Sequence, residues 1–141
     1  MIDKFDGKYA FLSNFYSSPI QPFDDGILYP TVEHAFQAQK TLNISIRKEI
    51  AAQPTPGKAK AIGRNIILRS DWRDIRIQVM YRALKAKFKD TELAQKLLST
   101  GNEKLVEGNW WGDKYWGVCD GIGENNLGEL LMKIREELKN N

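Results

Sequence analysis

The chain has 141 residues, with 21 Lys and Arg against 18 Asp and Glu, and it contains one His and one Cys. This length predicts one domain, since about 150 residues is a typical domain size. Hydrophobic residues make up 42% of the chain, which is enough for a core without disulfides. Because His34 and Cys119 are single, a disulfide framework, a multi-Cys zinc site and a His-rich zinc centre are excluded. The net charge of +3 permits a phosphate-bearing ligand without demanding nucleic acid.

The N-terminal residues lack the basic and apolar stretches of a signal peptide. No apolar run approaches the roughly 20 residues that a membrane span requires. We therefore expect a cytoplasmic protein with no membrane partner.

The first part of the chain predicts two short strands and two helices. Aromatic residues favour a strand at 8–16 that runs into a loop, and a second short strand at 27–29 follows a turn-rich segment. Thr31 is the expected N-cap of a helix from Val32 to Thr41. A looser helix is expected at 43–53.

The middle of the chain is predicted to be mainly helical. Thr55 followed by Pro56 indicates the start of a short helix that ends near Gly63. The apolar residues 66–68 favour a buried strand. The strongest helix is expected to begin after a Ser70 cap and to run to about Lys89, with its apolar residues on one face. Another helix is expected at 91–99.

The C-terminal part begins with a short predicted strand at 104–107. A loop region at 108–123 contains three of the four Trp residues, and the last helix is expected to begin after an Asn125 cap. The predicted fold class is α+β, a mainly α-helical single domain over residues 1–141 with a few short strands.

One helix carries a polar stripe. Glu33, Gln37 and Lys40 are spaced i, i+4 and i+7, so they share one helix face while apolar residues lie on another. Acid, amide and amine beside an apolar face suit the wall of a site, and the helix dipole favours an ionised Glu33 in the first turn. From spacing alone, a solvated surface face is the commoner explanation.

A second feature is the aromatic loop at 109–117. Large rings in a Gly-rich loop can stack on a planar base, and Asp113 can accept hydrogen bonds from a sugar or base edge. Trp110 and Trp111 are explained equally well as cover for a small core. Trp116 follows Asp113 closely and favours a role in a site.

Other candidates are weaker. The glycines at 121–123 precede a helix and can hold an anion, but a plain capping loop is commoner. His34 is expected to be either a satisfied buried residue or a surface residue, and Cys119 is expected to be inert. Four basic residues can meet a phosphate, although at least half of them are expected to be solvated. They are Lys58, Lys60, Arg64 and Arg69.

A series of short motifs runs in order through nearly the whole chain. The motifs are Phe11–Tyr16, Tyr29–His34 with Gln37 and Lys40, Lys60–Arg64, Leu68–Trp72, Lys87–Phe88, Thr100–Gly101, Leu105–Glu107, Asp113 with Trp116–Gly117, and Gly123–Gly128. Each motif is short, but the ordered set is specific, and it resembles the NADAR (YbiA-like) family.

The resemblance implies an N-glycosidase, a hydrolase that cleaves the bond between ribose C1 and a nitrogen, with no cofactor and no metal. One implied substrate is ADP-ribose attached to guanine in DNA or other nucleic acid, removed as a repair or antitoxin step. The other is a ribosyl phosphate, the phosphoribosyl-amine intermediates of riboflavin biosynthesis. Glu33 and Lys40 are the implied catalytic residues. The implied substrate-binding residues are Asn14, Phe15, Tyr16, Gln37, Arg64, Arg69, Trp72, Asp113, Trp116 and Gly117.

Two mechanisms and two other functions stay open on the sequence. An ionised Glu33 can stabilise the oxocarbenium-like charge on the sugar and activate water, or a neutral Lys40 can attack C1 and form a Schiff base. The same residues suit a non-catalytic ADP-ribose or nucleotide-binding module. A general nucleic-acid binder fits less well, because +3 is a small charge for phosphate-driven affinity.

Overall fold

The computed structural model describes all 141 residues, and the chain forms two compact units. One unit is Asn14–Lys87, and the other combines Met1–Ser13 with Phe88–Asn141. The single domain expected from the sequence stays a prediction. None of the helices is long and apolar enough to cross a membrane.

The unit Asn14–Lys87 contains four helices, and three of them surround α1. Helix α1 packs against each of the other three helices, and all seven of its residues are buried. A helix buried on every side has to satisfy its polar side chains within the protein or with a ligand. The four helices are α1 (Val32–Ala38), α2 (Ile44–Ala51), α3 (Pro56–Gly63) and α4 (Trp72–Lys87).

Three of these helices begin at the residues that the sequence indicates. The side chains of Thr31, Asn43 and Thr55 each accept a hydrogen bond from the backbone N–H three residues later. Such caps satisfy backbone donors that have no partner inside the helix. Pro56 occupies the first turn of α3, where its missing N–H costs nothing.

The other unit contains a 3₁₀ helix (Gly7–Leu12) and the helices α5 (Thr91–Ser99) and α6 (Asn126–Lys139). Helix α5 packs against both the 3₁₀ helix and α6. Asp90 caps α5 through a hydrogen bond from Leu93 N–H. The apolar residues Leu127, Leu130, Leu131 and Ile134 of α6 recur at helical spacing and are buried.

Asn125 precedes α6 as predicted, but its side chain does not cap the helix. Its backbone is left-handed, with φ of 55°. Its Oδ1 accepts a hydrogen bond from Glu107 N–H at 2.9 Å, and its Nδ2 donates to the carbonyl of Leu105 at 2.9 Å. Asn125 therefore holds the segment before the aromatic loop against the start of α6.

The mainly helical prediction is confirmed, but the predicted strands do not assemble into a sheet. Two of them are reduced to isolated bridges, Ile20 with Tyr29 and Ile2 with Leu105. The prediction of a strand at 8–16 is wrong, because the first part of this segment lies in the 3₁₀ helix, where Phe11 and Leu12 are buried.

The strand at 66–68 is also wrong. It is a short exposed connection between α3 and α4, in which Ile67 is 92% exposed. An apolar run becomes a strand only where a neighbouring strand satisfies its backbone groups, and these three residues form no bridge.

Candidate active site

Glu33 is a buried carboxylate in the first turn of α1. Glu33 is only 7% exposed, so the explanation of the polar stripe as a solvated face is wrong. Its backbone N–H donates to the carbonyl of Asn14 at 3.1 Å. Its Oε2 accepts a hydrogen bond from Gln37 Nε2 at 3.3 Å. The helix therefore holds an acidic group inside the unit, where the lower dielectric strengthens its interaction with any positive charge.

Two buried amide oxygens beside Glu33 have no hydrogen-bond partner. They are Oε1 of Gln37 and Oδ1 of Asn14. The Nδ2 of Asn14 donates to the sulfur of Met80 at 3.6 Å, a weak contact. Leaving a buried acceptor unsatisfied costs roughly 1–3 kcal/mol, and such groups in a native protein call for an explanation such as a ligand.

Lys40 lies in the turn after α1, because the helix ends at Ala38 and not at Thr41 as predicted. Its backbone N–H donates to the carbonyl of Gln37 at 3.2 Å, and its Nζ lies 5.9 Å from the centre of the Phe36 ring.

The pKa of the Lys40 amine is lowered, first by burial and then by the charges of Lys60 and Arg64, while Glu33 opposes the shift. A lowered pKa increases the neutral fraction of the amine at any given pH. A nucleophilic lysine requires this neutral form.

Trp72 begins α4 and is only 6% exposed. Its ring packs against Phe36, with the ring centres 5.1 Å apart. Since Phe36 also faces the Lys40 amine, Trp72 supports the wall of the site. Its burial leaves little of its ring for stacking on a ligand.

The two predicted arginines differ in their surroundings. The backbone N–H of Arg69 donates to the carbonyl of Lys40 at 2.8 Å. Its guanidinium donates two hydrogen bonds to the Asp71 carboxylate, at 2.6 and 3.1 Å. The same pair lowers the pKa of Asp71. Arg64 is exposed at the end of α3 and contributes its charge to the surroundings of Lys40. Arg64 is therefore the more accessible of the two for a phosphate.

The predicted aromatic residues of this unit, Phe15 and Tyr16, lie next to Asn14 in the chain. Phe15 is 45% exposed and Tyr16 is half-buried. The Nζ of Lys87 lies 5.5 Å from the centre of the Tyr16 ring.

Lys87 itself was missed as a candidate in its own right. It is 1% exposed, and burial lowers its pKa to about 7. Its position gave a signal, because Met80, Ala83 and Leu84 are buried seven, four and three residues earlier on the same helix face.

A polar network holds the segments around α1, and the sequence indicated it only as a turn at 24–26. Oδ2 of Asp25 accepts hydrogen bonds from Tyr29 Oη at 2.7 Å, Gln39 Nε2 at 3.1 Å and Arg47 Nη1 at 3.4 Å. Burial, followed by the bond to Asp25, raises the pKa of Tyr29. Because Gln39 precedes Lys40, this network fixes the turn that carries the amine.

His34 is a satisfied buried residue, one of the two expected alternatives. Its Nδ1 lies 2.8 Å from Thr31 Oγ1 and its Nε2 lies 2.9 Å from the carbonyl of Gln53. Burial lowers its pKa against the opposing effect of the Gln53 bond. These contacts fit a neutral imidazole that donates from Nε2 and accepts at Nδ1. No group of three His, Cys, Asp or Glu residues is placed to hold a metal ion.

The remaining predicted residues, Asp113, Trp116 and Gly117, belong to the other unit. Oδ1 of Asp113 accepts hydrogen bonds from the N–H groups of Tyr115 at 3.1 Å and Trp116 at 2.9 Å. The half-buried Trp116 ring meets Tyr115 edge-on, with centres 5.0 Å apart. A side chain at Gly117 would overlap the backbone carbonyl of Glu107. These contacts order the loop itself.

Trp110 and Trp111 do not cover a core. Their residues are 86% and 51% exposed, and their rings contact each other edge-on with centres 5.7 Å apart.

Comparison with known proteins gives consistent results. A sequence model of the NADAR domain matches residues 2–139. The chain is 46% identical over 134 residues to the N-glycosidase YbiA of Shigella flexneri, covering 92% of this chain and 82% of that protein. It is 37% identical over 138 residues to a riboflavin biosynthesis protein of Vibrio vulnificus, covering 95% of this chain and 37% of that protein. The NMR structure of the Escherichia coli protein YbiA superposes with a TM-score of 0.85 at 42% identity, covering 99% of this chain and 85% of that one.

Proposed function

We propose, on the premise that this chain belongs to the NADAR domain family, that it hydrolyses the ribose C1–N bond of ADP-ribosylated guanine in nucleic acid. The chain is a hydrolase acting on N-glycosyl bonds, as are its relatives named N-glycosidase. The observation that carries the proposal is the buried Glu33 carboxylate, which accepts a hydrogen bond from the Gln37 amide on the helix that leads to Lys40. The proposed role is de-ADP-ribosylation in repair or as an antitoxin.

Glu33 suits the charge that this reaction develops. Breaking a ribosyl C–N bond builds oxocarbenium-like positive charge at C1 and the ring oxygen. A buried carboxylate, held by the Gln37 amide, stabilises that charge and can take a proton from the attacking water. The electron pair of the broken bond leaves with the nitrogen of the base, which regains its proton.

Lys40 offers a covalent alternative. Its neutral amine attacks C1, the C1–N bond to the base breaks, and the electron pair leaves with the base nitrogen. Loss of a proton from the amine and opening of the sugar ring at C1 then give a Schiff base, which water hydrolyses to release the sugar and the amine. The lowered pKa of Lys40 supports this route.

The proposed substrate contacts follow the surroundings of these two residues. Arg64 is the proposed phosphate contact, with Arg69 a second one that would have to share its guanidinium with Asp71. The unpartnered Oδ1 of Asn14 is the proposed acceptor for a sugar hydroxyl. The family resemblance adds further proposed binding residues, which are Phe15, Tyr16, Gln37 and Trp72 in the same unit, and Asp113, Trp116 and Gly117 in the other unit.

A second candidate substrate is a phosphoribosyl-amine intermediate of riboflavin biosynthesis. Relatives from Vibrio vulnificus and Zea mays that match this chain are named riboflavin biosynthesis proteins. Such a substrate has the same ribosyl C1–N bond and a phosphate, so Glu33, Lys40 and Arg64 would serve it in the same way.

A parallel assay tests the proposal. The purified chain is incubated with DNA that carries ADP-ribosyl-guanine and, separately, with the phosphoribosyl-amine, and the released sugar is measured. Release of ADP-ribose from the DNA supports the proposal, and turnover of the amine alone supports the second candidate. Binding of ADP-ribose without release of either product would instead indicate a non-catalytic module.

Reductive trapping separates the two chemical routes. Borohydride added during turnover reduces a Schiff base to a stable secondary amine. A sugar adduct on Lys40 in the mass spectrum supports the covalent route, and unmodified protein after full turnover supports the direct attack of water.

A further inference from the structure

Helices α1 and α3 approach each other closely where Gln37 meets Gly63, the last residue of α3. A Cβ atom built on Gly63 would lie 2.8 Å from Cδ and 3.2 Å from Cβ of Gln37, and it would overlap Oε1. Real Cβ atoms essentially never approach another heavy atom closer than 3.0 Å. Only glycine therefore fits at position 63 with Gln37 in its present place.

This contact explains how the amide of Gln37 is oriented. Its Oε1 is buried without a hydrogen-bond partner, and the Gly63 hydrogen that stands in place of Cβ points at it. A Cα–H to oxygen contact is a weak hydrogen bond that gives modest compensation. The opposite orientation of the amide would turn Oε1 towards the Glu33 carboxylate, where two oxygens repel. The oxygen therefore faces α3, and Nε2 faces Glu33.

Glu33 depends on this arrangement. It is 7% exposed, so its carboxylate relies on protein donors in place of water. The side-chain amide of Gln37 is one such donor, because its Nε2 lies 3.3 Å from Oε2 of Glu33. If the amide is displaced, the carboxylate loses that donor and with it a constraint on the direction of its oxygens.

We propose that Gly63 is a positioning residue, which holds the Gln37 amide against α3 so that the amide keeps the Glu33 carboxylate in its reactive orientation. This inference rests on the proposed hydrolysis at Glu33. Gly63 itself touches no reacting atom and acts through Gln37.

The test compares two glycines of the same helix. Gly63→Ala introduces the overlap, whereas a Cβ at Gly57 meets only Thr55 Oγ1 at 4.0 Å, which is ordinary contact. Misplacing a reacting group by about 1 Å can lower a rate roughly 100-fold. We expect Gly63→Ala to lower kcat by about 10- to 100-fold with KM changed less than threefold, and Gly57→Ala to stay within twofold of wild type.

A double-mutant cycle separates positioning from a general structural defect. Gln37→Ala removes the atoms that Gly63→Ala overlaps, so the double variant should be as active as Gln37→Ala alone. Independent losses that multiply in the double variant would overturn the inference. So would a Gly63→Ala enzyme as active as the Gly57→Ala control.

A structural measurement makes the test independent of turnover. The side-chain amide signals of Gln37, identified in the NMR spectrum by their loss in Gln37→Ala, should shift in Gly63→Ala and stay in place in Gly57→Ala. If the Gln37 signals do not shift in Gly63→Ala, the inference is overturned, whatever the activity of that variant. If the wild-type chain turns over neither substrate, the proposed function fails, while these signals still decide whether Gly63 positions the amide. If Gly63→Ala alone does not fold, the double variant should fold, and its failure would contradict the proposal.

Discussion

Helix α1 and the aromatic loop at 109–117 both contain candidate site residues in the sequence, but their polar side chains differ in their hydrogen bonds. In α1 the Glu33 and Gln37 side chains are buried and bonded to each other, and a neighbouring Asn14 oxygen has no partner. In the loop, Asp113 accepts hydrogen bonds from two backbone N–H groups through Oδ1. The loop exposes its Trp110 and Trp111 rings, whereas all seven residues of α1 are buried.

This difference supports the proposed location of the chemistry at α1. A polar group that satisfies a turn stabilises the protein, whereas a buried polar group that the fold leaves unsatisfied or poorly paired costs stability. We therefore expect substitutions around α1 to affect turnover more than stability. Substitutions of polar residues in the loop should affect stability directly.

If the reaction follows the covalent route, Lys40→Arg should have the largest of these effects. Arginine keeps the positive charge but does not become neutral in proteins, so it cannot attack C1. We expect a loss of at least about 100-fold in kcat and little change in the melting temperature. The exposed Lys48→Arg is the matched control.

The pH dependence of wild-type turnover sharpens the same point. Because the pKa of Lys40 is lowered, its neutral fraction should grow, and the rate rise, as pH increases through a range below the ordinary lysine value. A Lys40→Arg enzyme with more than a tenth of wild-type activity would remove the covalent route.

Lys87→Met tests whether burial of polar groups costs stability in the Asn14–Lys87 unit. The pKa of Lys87 is about 7 in the folded chain and 10.5 in a free lysine, so the unfolded state binds more protons between these values. The free energy of unfolding of the wild type should therefore increase as pH rises through this window, by up to about 1.4 kcal/mol per pH unit.

Urea unfolding at pH 7 and pH 9 measures this effect. Wild type should gain about 2 kcal/mol over Lys87→Met between the two pH values. The exposed Lys89→Met serves as the control and should follow the wild type. Parallel pH profiles for wild type and Lys87→Met would show that the amine stays charged in the fold.

Asp113→Ala should destabilise the loop, because two backbone N–H groups lose their acceptor. The expected loss is about 1–2 kcal/mol in the free energy of unfolding. Asp113→Asn keeps the Oδ1 acceptor and should lose less than half as much. Equal losses for both variants would mean that the charge, not the hydrogen bonds, orders the loop.

Trp110→Ala should have the smallest effect on stability. Its residue is 86% exposed, and substitutions at exposed positions usually change the free energy of unfolding by less than about 0.5 kcal/mol. A loss above about 1 kcal/mol in urea unfolding would restore the interpretation of Trp110 as cover for a core.

The helices could be predicted from the sequence because their signals are local. Thr31 and Thr55 are predicted caps followed by helix-forming segments, and both caps form as expected. The strands could not be predicted in this way, because a strand depends on a distant partner. The apolar run at 66–68 has no partner and lies exposed.

For the candidate site, the sequence indicated which residue types share a face of α1 but not their geometry. The spacing of Glu33, Gln37 and Lys40 placed them on one face, but spacing carries no information on burial, and a solvated face was the commoner explanation. The unsatisfied oxygens and the contact between Gln37 and Gly63 depend on packing between separate helices. Asp113 was recognised as a hydrogen-bond acceptor, but the sequence could not show that its own loop uses Oδ1.

The measurement that tests the central claim most directly is the release of ADP-ribose from ADP-ribosyl-guanine DNA by Glu33→Gln. Glutamine keeps the shape of the side chain and removes its charge, so the folded variant should lose at least about 100-fold in kcat. The exposed Glu49→Gln control should match the wild type. A folded Glu33→Gln enzyme that releases ADP-ribose at the wild-type rate would contradict the assignment of catalysis to the buried face of α1.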